Sequence, residues 1–395
     1  GSFASSVTLG AAYGYSMMWV PLYSFTFGIF FLALAARFVC QSETPIIEAQ
    51  NRYHGKFFGT FATGLLAGCI ASVVFNFGQY ALGADAIINM FAAFDIHISK
   101  GLCCLILLAV SVPLSLMYGS GENPKGVKIV ENAIKVMIGI MLIVFIAVVC
   151  VTGINVPAMI KGLLIPKLPS GIDGMVTLIA SMTATIGVMD WLLFNNGMIA
   201  RGFSEDHERL GRFDAFCGGL LPVTLVLSLV SIAFAEAFSG KPGIPTTSSE
   251  LCEALMGVIP SVWIQAGFYL GVLAMVLSSM IGLSATCATS FYQSLNIPRN
   301  TKAWYHPLVV LAPQIGCLGV FFGKPVTIVV TVAAMQSLFN WISGYSWHLL
   351  GNDPRYLGKK VIQSRFFNFG ILVGISILNI VFITFVMGKM GVWPE

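Results

Sequence analysis

The stretch IGVMDWLLFNNG, residues 186–197, lies inside a long apolar run, yet it places Gly187, Asp190, Asn195, Asn196 and Gly197 within three turns. A carboxylate is costly at membrane depth, and glycine weakens a helix. Both are tolerated where a helix is broken and its freed carbonyls line a cavity, as at the midplane binding sites of transporters. Met189 beside Asp190 adds a thioether to a carboxylate and free carbonyls. That donor set suits a soft-to-borderline divalent ion better than sodium.

The rest of the composition supports membrane depth. The chain has 395 residues, of which 57% are hydrophobic and only 10% charged. A soluble domain carries about 25% charged residues, and folding this chain in water would leave far too much apolar surface exposed. One multi-pass integral membrane domain is therefore expected, embedded in the lipid bilayer, with no nucleic-acid partner. The nine cysteines form no CxxC pair and read as packing thiols. No cleavable signal peptide is expected, because the chain opens on GSFASS without a charged leader.

Apolar runs between charged loops place spans at 15–39, 58–81, 102–119, 129–152, 175–201, 211–238, 262–292, 306–323, 325–349 and 364–388. A spanning helix needs about 20 residues. Residues 3–15, FASSVTLGAAYGY, are too short to cross alone and read as the second half of a broken helix whose first half is absent from this chain. That gives about eleven transmembrane helices, with the first and sixth broken. Two breaks five segments apart are what an inverted five-helix repeat predicts. The repeats fall at 1–152 and 175–349, and 364–388 is an additional helix. Fifteen of the 21 lysines and arginines lie in alternate loops, near residues 37–56, 125–135, 201–212, 299–302 and 355–365. By the positive-inside tendency those loops are cytoplasmic.

Further polar clusters sit within the apolar segments. Gly1 and Ser2 precede the half-helix, Asn76 and Gln79 lie about one turn apart in FNFGQYALGAD, and Gln336, Asn340, Ser343 and Gly344 form a weaker group. The ordinary reading of such amides and small residues is interhelical packing and hydrogen bonding. Asp190 is harder to explain that way, since a mid-helix carboxylate needs a cation, a wet cavity or a partner.

These residues resemble the Nramp divalent-metal transporters of the leucine-transporter fold. The family's first helix reads D-P-G-N, then F-A-T-N and A-x-Y-G-Y; here GSFASSVTLGAAYGY puts Gly1 and Ser2 on the G and N. The stretch LAARFVCQSETPIIEAQNRY is similar to the family's second-helix exit. The sixth-helix motif V-M-P-H-N-L-Y-L-H-S lays without gaps on residues 188–197. The resemblance implies a metal site at Ser2, the Ile186 carbonyl, Met189 and Asp190. Gly1, Gly187, Asn76, Gln79, Asn195, Asn196, Gln336 and Asn340 would line its pathway. Asp190 stands where the family has proline, Trp191 and Asn196 where it has histidines, and Asn76 and Gln79 where it has a paired aspartate and glutamate. Those family positions handle protons, and amides do not titrate.

The departures are similar to the prokaryotic Nramp-related magnesium transporter branch, where the ion is thought to keep more of its water. Mg²⁺ sheds water reluctantly and prefers oxygen ligands, while the retained Met189 keeps Mn²⁺ in view. The expected function is transport of Mg²⁺ and/or Mn²⁺ by alternating access, without proton coupling and without a cofactor, in the cell (inner) membrane. The alternative is a proton- or sodium-coupled carrier of amino acids or amines on the same fold. A membrane-embedded enzyme is disfavoured, since no HExxH, clustered histidines or Ser–His pairing occurs at membrane depth.

Overall fold

The computed structural model describes residues 2–120, 124–169, 171–183, 187–239, 243–353 and 365–391, and the described residues are helical throughout their spans. The helices are α1 Ser2–Tyr13, α2 Trp19–Ser42, α3 Ile46–Tyr53, α4 Phe57–Ala92, α5 Lys100–Ser120, α6 Pro124–Thr152, α7 Val156–Leu164 and α8 Gly171–Thr183. They continue with α9 Val188–Ala200, α10 Glu205–Ala237, α11 Ser248–Val258, α12 Val262–Leu295, α13 His306–Phe321, α14 Pro325–Met335, α15 Ser337–Leu350 and α16 Arg365–Lys389. Among the described residues, eight helical stretches are long and apolar enough to cross a membrane, one of them the interrupted pair α8–α9. Shorter segments at α1, α13 and α14–α15 pack among them.

Several boundaries depart from the hydropathy pattern for local reasons. The second span begins at Trp19 rather than residue 15, because Gly14 takes φ +54° and a tight turn over Gly14–Met17 separates it from α1. The third runs to Ala92 rather than 81, so its polar stretch is helical throughout. Residues 306–323 begin as α-helix and continue as a 3₁₀ turn from Ala312, where Pro313 removes a backbone donor. The expected helix 325–349 divides at Gln336, which separates α14 from α15. Three short helices outside the spans, α3, α7 and α11, are not expected from hydropathy, and the last two are capped alike. Each of those two has a side-chain N-cap, Asn155 accepting from the Ala158 amide and Thr247 from the Glu250 amide.

The interruption expected near residue 187 is present. Helix α8 ends at Thr183, and α9 starts after Gly187, whose backbone is extended (φ −69°, ψ 146°). Close helix packing fixes the surroundings. A Cβ on Gly10 would lie 2.2 Å from the Ser231 carbonyl, so α1 lies against the backbone of α10. Ser231 Oγ reinforces that contact by donating to the Ser6 carbonyl at 3.0 Å. Gly64 and Gly68 of α4 face Ser294 and Ser290 of α12 in the same manner. Between α4, α5, α12 and α13 sits a fully buried hub. The Gln314 carbonyl oxygen accepts from Tyr80 (2.5 Å) and Ser111 (3.1 Å), and its amide nitrogen lies 2.9 Å from both Ser115 and Ser284. All of Gln314's side-chain capacity is used, so this core is rigid as well as polar.

Candidate functional site

The break between α8 and α9 opens on a cavity of about 210 Å³. Its lining comes from α1 (Ser2), α4 (Phe75), both sides of the break (Thr183, Met189, Asp190, Leu193), α12 (Ser278, Ser279, Gly282, Leu283, Thr286) and the α14–α15 junction (Ala333, Gln336). Two helix ends meet here with opposite polarity. The carbonyl end of α8 carries partial negative charge, and Asp190 occupies the first turn of α9, where it complements the positive amide end.

Gly187 marks where the oxygens converge. A Cβ at this residue would lie 3.1 Å from Asp190 Oδ2, 3.1 Å from the Thr183 carbonyl oxygen and 3.2 Å from Gln336 Oε1. A carboxylate, a helix-terminal carbonyl and an amide carbonyl therefore surround the volume that glycine leaves empty. Asp190 is exposed to the cavity, whereas Met189, also a lining residue, is 7% exposed. Ser72 of α4, fully buried, lies behind Met189 with Oγ 3.3 Å from Sδ. Among the described residues no three His, Cys, Asp or Glu side chains cluster closely enough to hold a metal. The site is thus one carboxylate among neutral oxygens and one sulfur. It is the only titratable side chain among the described lining residues.

Asp190 and Leu193 also line a second, larger cavity of about 610 Å³ that continues past Asn196, Gly197, Arg201, Thr289 and Arg299. Thr289 and Arg299 are shared in turn with a third space of about 430 Å³ bordered by Glu48, Gln293 and Asn296. The three are contiguous, and they end among the cationic loops assigned to the cytoplasm. A single face of α12 borders all of them: Ser278, Ser279, Gly282, Thr286, Thr289 and Gln293 recur at helical spacing, with Asn296 capping the helix just beyond. The opposite mouth is shut. Tyr15 Oη donates to Glu236 Oε1 at 2.5 Å, the Asn155 amide reaches both groups at 3.3 Å, and Trp19 Nε1 donates to the Lys167 carbonyl at 3.2 Å. Helix α7 presses on this plug, since a Cβ on Gly162 would fall 1.8 Å from the Tyr15 carbonyl oxygen.

The structure brings together Ser2, Gly187, Met189, Asp190 and Gln336 of the residues singled out in sequence, and Asn196 joins them at the vestibule. It does not bring Asn76, Gln79 or Asn195 to the cavity. Asn76 is fully buried and donates from Nδ2 to the Pro313 carbonyl at 2.7 Å, while Gly316 packs on its Cβ. That bond ties α4 to α13. Gln79, 2% exposed, lies on the same buried stretch of α4. Asn195 has no exposed surface and is not among the lining residues of either cavity. Trp191, at the position of a family histidine, stacks on Phe31 at 4.5 Å and is 3% exposed. Gly1, Ile186 and the side chain of Asn340 lie outside the described residues. Sequence reasoning missed Thr183 and the hydroxyls of α12. The α12 set was detectable as a polar stripe at three- and four-residue spacing on an otherwise apolar helix.

Among solved structures, the fold is similar to the Eremococcus coleocola manganese transporter in complex with an aromatic bis-isothiourea substituted compound. That match has 16% identity and a TM-score of 0.71, covering 100% of this chain and 85% of that one. It is also similar to MhsT in complex with L-phenylalanine, with 12% identity and a TM-score of 0.58, covering 99% and 97%. At these identities the likeness establishes the fold, an all-helical leucine-transporter-type architecture. No curated protein matches the chain in sequence. The family model described as natural resistance-associated macrophage protein-like matches residues 1–386. The chain therefore belongs to the Nramp family, whose members are membrane transporters and not enzymes.

Proposed function

We propose that this protein carries Mg²⁺ or Mn²⁺ down its electrochemical gradient by alternating access, without coupled protons, in the cell membrane. Membership of the Nramp family supports divalent metal ions as the substrate class. The observation that carries the finer reading is the wall of the 210 Å³ cavity: a single carboxylate, several neutral oxygens and one thioether. A water needs roughly 10–15 Å³ of such space, so the cavity admits an ion together with a shell of its waters. Mg²⁺ keeps several waters and usually binds through one or two carboxylates, which matches one Asp190 among hydroxyls and carbonyls. Met189 supplies the one soft donor and is the basis for including Mn²⁺.

In this reading Asp190 provides the charge, the Thr183 and Gln336 carbonyls and the Ser2, Ser278, Ser279 and Thr286 hydroxyls hold ion-bound water, and the α12 stripe leads it to the cytoplasm. The Ile186 carbonyl is proposed as a further ligand, and residues 1–152 and 175–349 as the two inverted repeats. The test is uptake into proteoliposomes. Saturable Mg²⁺ or Mn²⁺ uptake that excess alanine does not inhibit supports it. Alanine or amine uptake, with no divalent flux, would replace it with the amino-acid reading.

A further inference from the structure

Among the cavity's neighbours, one contact bears on which ion the site prefers. Met189 Sδ has a polar partner behind the cavity wall, the hydroxyl of Ser72 at 3.3 Å. Ser72 is fully buried and also lies 2.6 Å from the Gly68 carbonyl one turn earlier in α4. A serine hydroxyl has one proton, so these two acceptors share it. When the proton points to sulfur, one of the thioether's lone pairs is engaged and the flexible methionine is held in one place. When an ion draws the sulfur away, the proton turns to Gly68 and no donor is stranded.

We propose that Ser72 sets the metal preference of the site: its hydroxyl competes with the ion for the Met189 sulfur, weakening binding of soft divalent ions while leaving hard ones unaffected. This rests on the divalent-metal reading above. The logic follows from ligand softness. Mg²⁺ is held by oxygen and gains nothing from sulfur, whereas Cd²⁺ and, less strongly, Mn²⁺ do. A hydrogen bond to sulfur therefore costs only the soft ions, and because the proton can turn to the Gly68 carbonyl the cost is at most that of one modest hydrogen bond. Ser72 is a positioning residue, since it reaches the ion only through Met189.

The experiment is calorimetric titration of the purified protein with Cd²⁺ and with Mg²⁺, for the wild type, Ser72→Ala, Ser72→Thr, Met189→Ala and the double variant Ser72→Ala/Met189→Ala. Removing one such hydrogen bond should raise Cd²⁺ affinity about threefold to tenfold in Ser72→Ala, with Mg²⁺ affinity unchanged. Ser72→Thr, which keeps the hydroxyl, should keep the wild-type ratio. The gain should vanish when Met189 is also alanine, because no sulfur remains to release. A purely structural role would shift both ions together, and that result overturns the proposal. So does a Cd²⁺ affinity that falls or stays constant in Ser72→Ala, or a gain that persists without Met189. Failure of the wild type to bind either ion would instead overturn the functional reading itself, so the two failures are distinguishable.

Discussion

At Gly187 the oxygens of Asp190, Thr183 and Gln336 stand 3.1–3.2 Å from where a side chain would begin. Contacts of that length leave a methyl group little room, and the neighbours that must yield are the groups facing the ion. Gly187→Ala should therefore lower divalent affinity about tenfold, a figure near the 1–3 kcal/mol typical of inserting a methylene into a packed site. Normal expression and an unchanged melting temperature would locate the loss at the site; unchanged affinity would show that the three oxygens do not serve the ion. Met189→Ala separates the ions in the other direction. It removes the soft donor, so Mn²⁺ and Cd²⁺ transport should weaken more than Mg²⁺ transport, and equal losses would return Met189 to a packing role. The break at Gly187 and its acid were legible in sequence because both violate what an apolar helix tolerates. Thr183 was not, since it acts through a backbone carbonyl, a group every residue carries. Asn76 and Gln79 misled for the opposite reason: an amide at membrane depth looks the same whether it faces water or a neighbouring helix. Only the Pro313 carbonyl, 237 residues away in sequence, decides the matter.

Among elements, α4, α5, α12 and α13 form the rigid wall, and the Gln314 hub is what makes them one unit. Gln314→Leu would leave the Tyr80, Ser111, Ser115 and Ser284 hydroxyls without their central partner in a dry interior. Each unsatisfied buried group costs about 1–3 kcal/mol, though serines recover part of this by bonding to their own helix backbone. The expected outcome is a marked fall in melting temperature in detergent with ion preference unchanged; an altered Mg²⁺/Mn²⁺ ratio would instead tie the hub to the site. The facing elements, α1 and α9, bring their first turns to the cavity, with Ser2 in α1 and Met189 and Asp190 in α9. Helix α12 belongs to both worlds. One face is locked to α4 through Ser290 and Ser294, the other is the hydroxyl stripe along the three cavities. Helix boundaries followed hydropathy only in part, since α4 runs on through Gly83 and Asp85 to Ala92. The division at Gln336 did not follow it either, because MQSL has no helix breaker and Gln336 keeps helical angles (φ −62°, ψ −25°). Its position against the α8–α9 break is a tertiary fact.

For the molecule as a whole, composition gave membrane embedding, the one-sided cations set an expected orientation, and the cavities lead toward the cationic loops and away from the contacts among Tyr15, Glu236 and Asn155. The whole-molecule prediction is that transport moves no protons. Coupling requires a titratable group that meets both the ion and a relay to solvent. The two amides and the indole at the family's proton-handling positions on α4 and at the start of α9, Asn76, Gln79 and Trp191, are buried in helix contacts. Asn196 reaches the vestibule, but its Oδ1 accepts from Gln293 Nε2 at 2.8 Å and an amide carries no exchangeable charge. None of the five histidines lines the cavity or the vestibule; His54 instead pairs with Ser346 at 2.8 Å and His306 with Tyr292 at 2.9 Å. Asp214 borders the vestibule paired with Arg201 at 3.0 Å and Glu48 borders the outermost space, so among the described residues Asp190 is the one carboxylate that lines the inner cavity itself. There its charge balances that of the ion being carried, and this reading assigns it no proton to move. Metal influx into liposomes containing a pH-sensitive dye should therefore leave the lumen unacidified and respond little to an imposed pH gradient. The decisive comparison is with Asp190→Asn, which should reduce divalent uptake at equal protein content without changing lumenal pH. Acidification that tracks uptake in the wild type and disappears in that variant would make Asp190 a proton carrier and the transporter a coupled one.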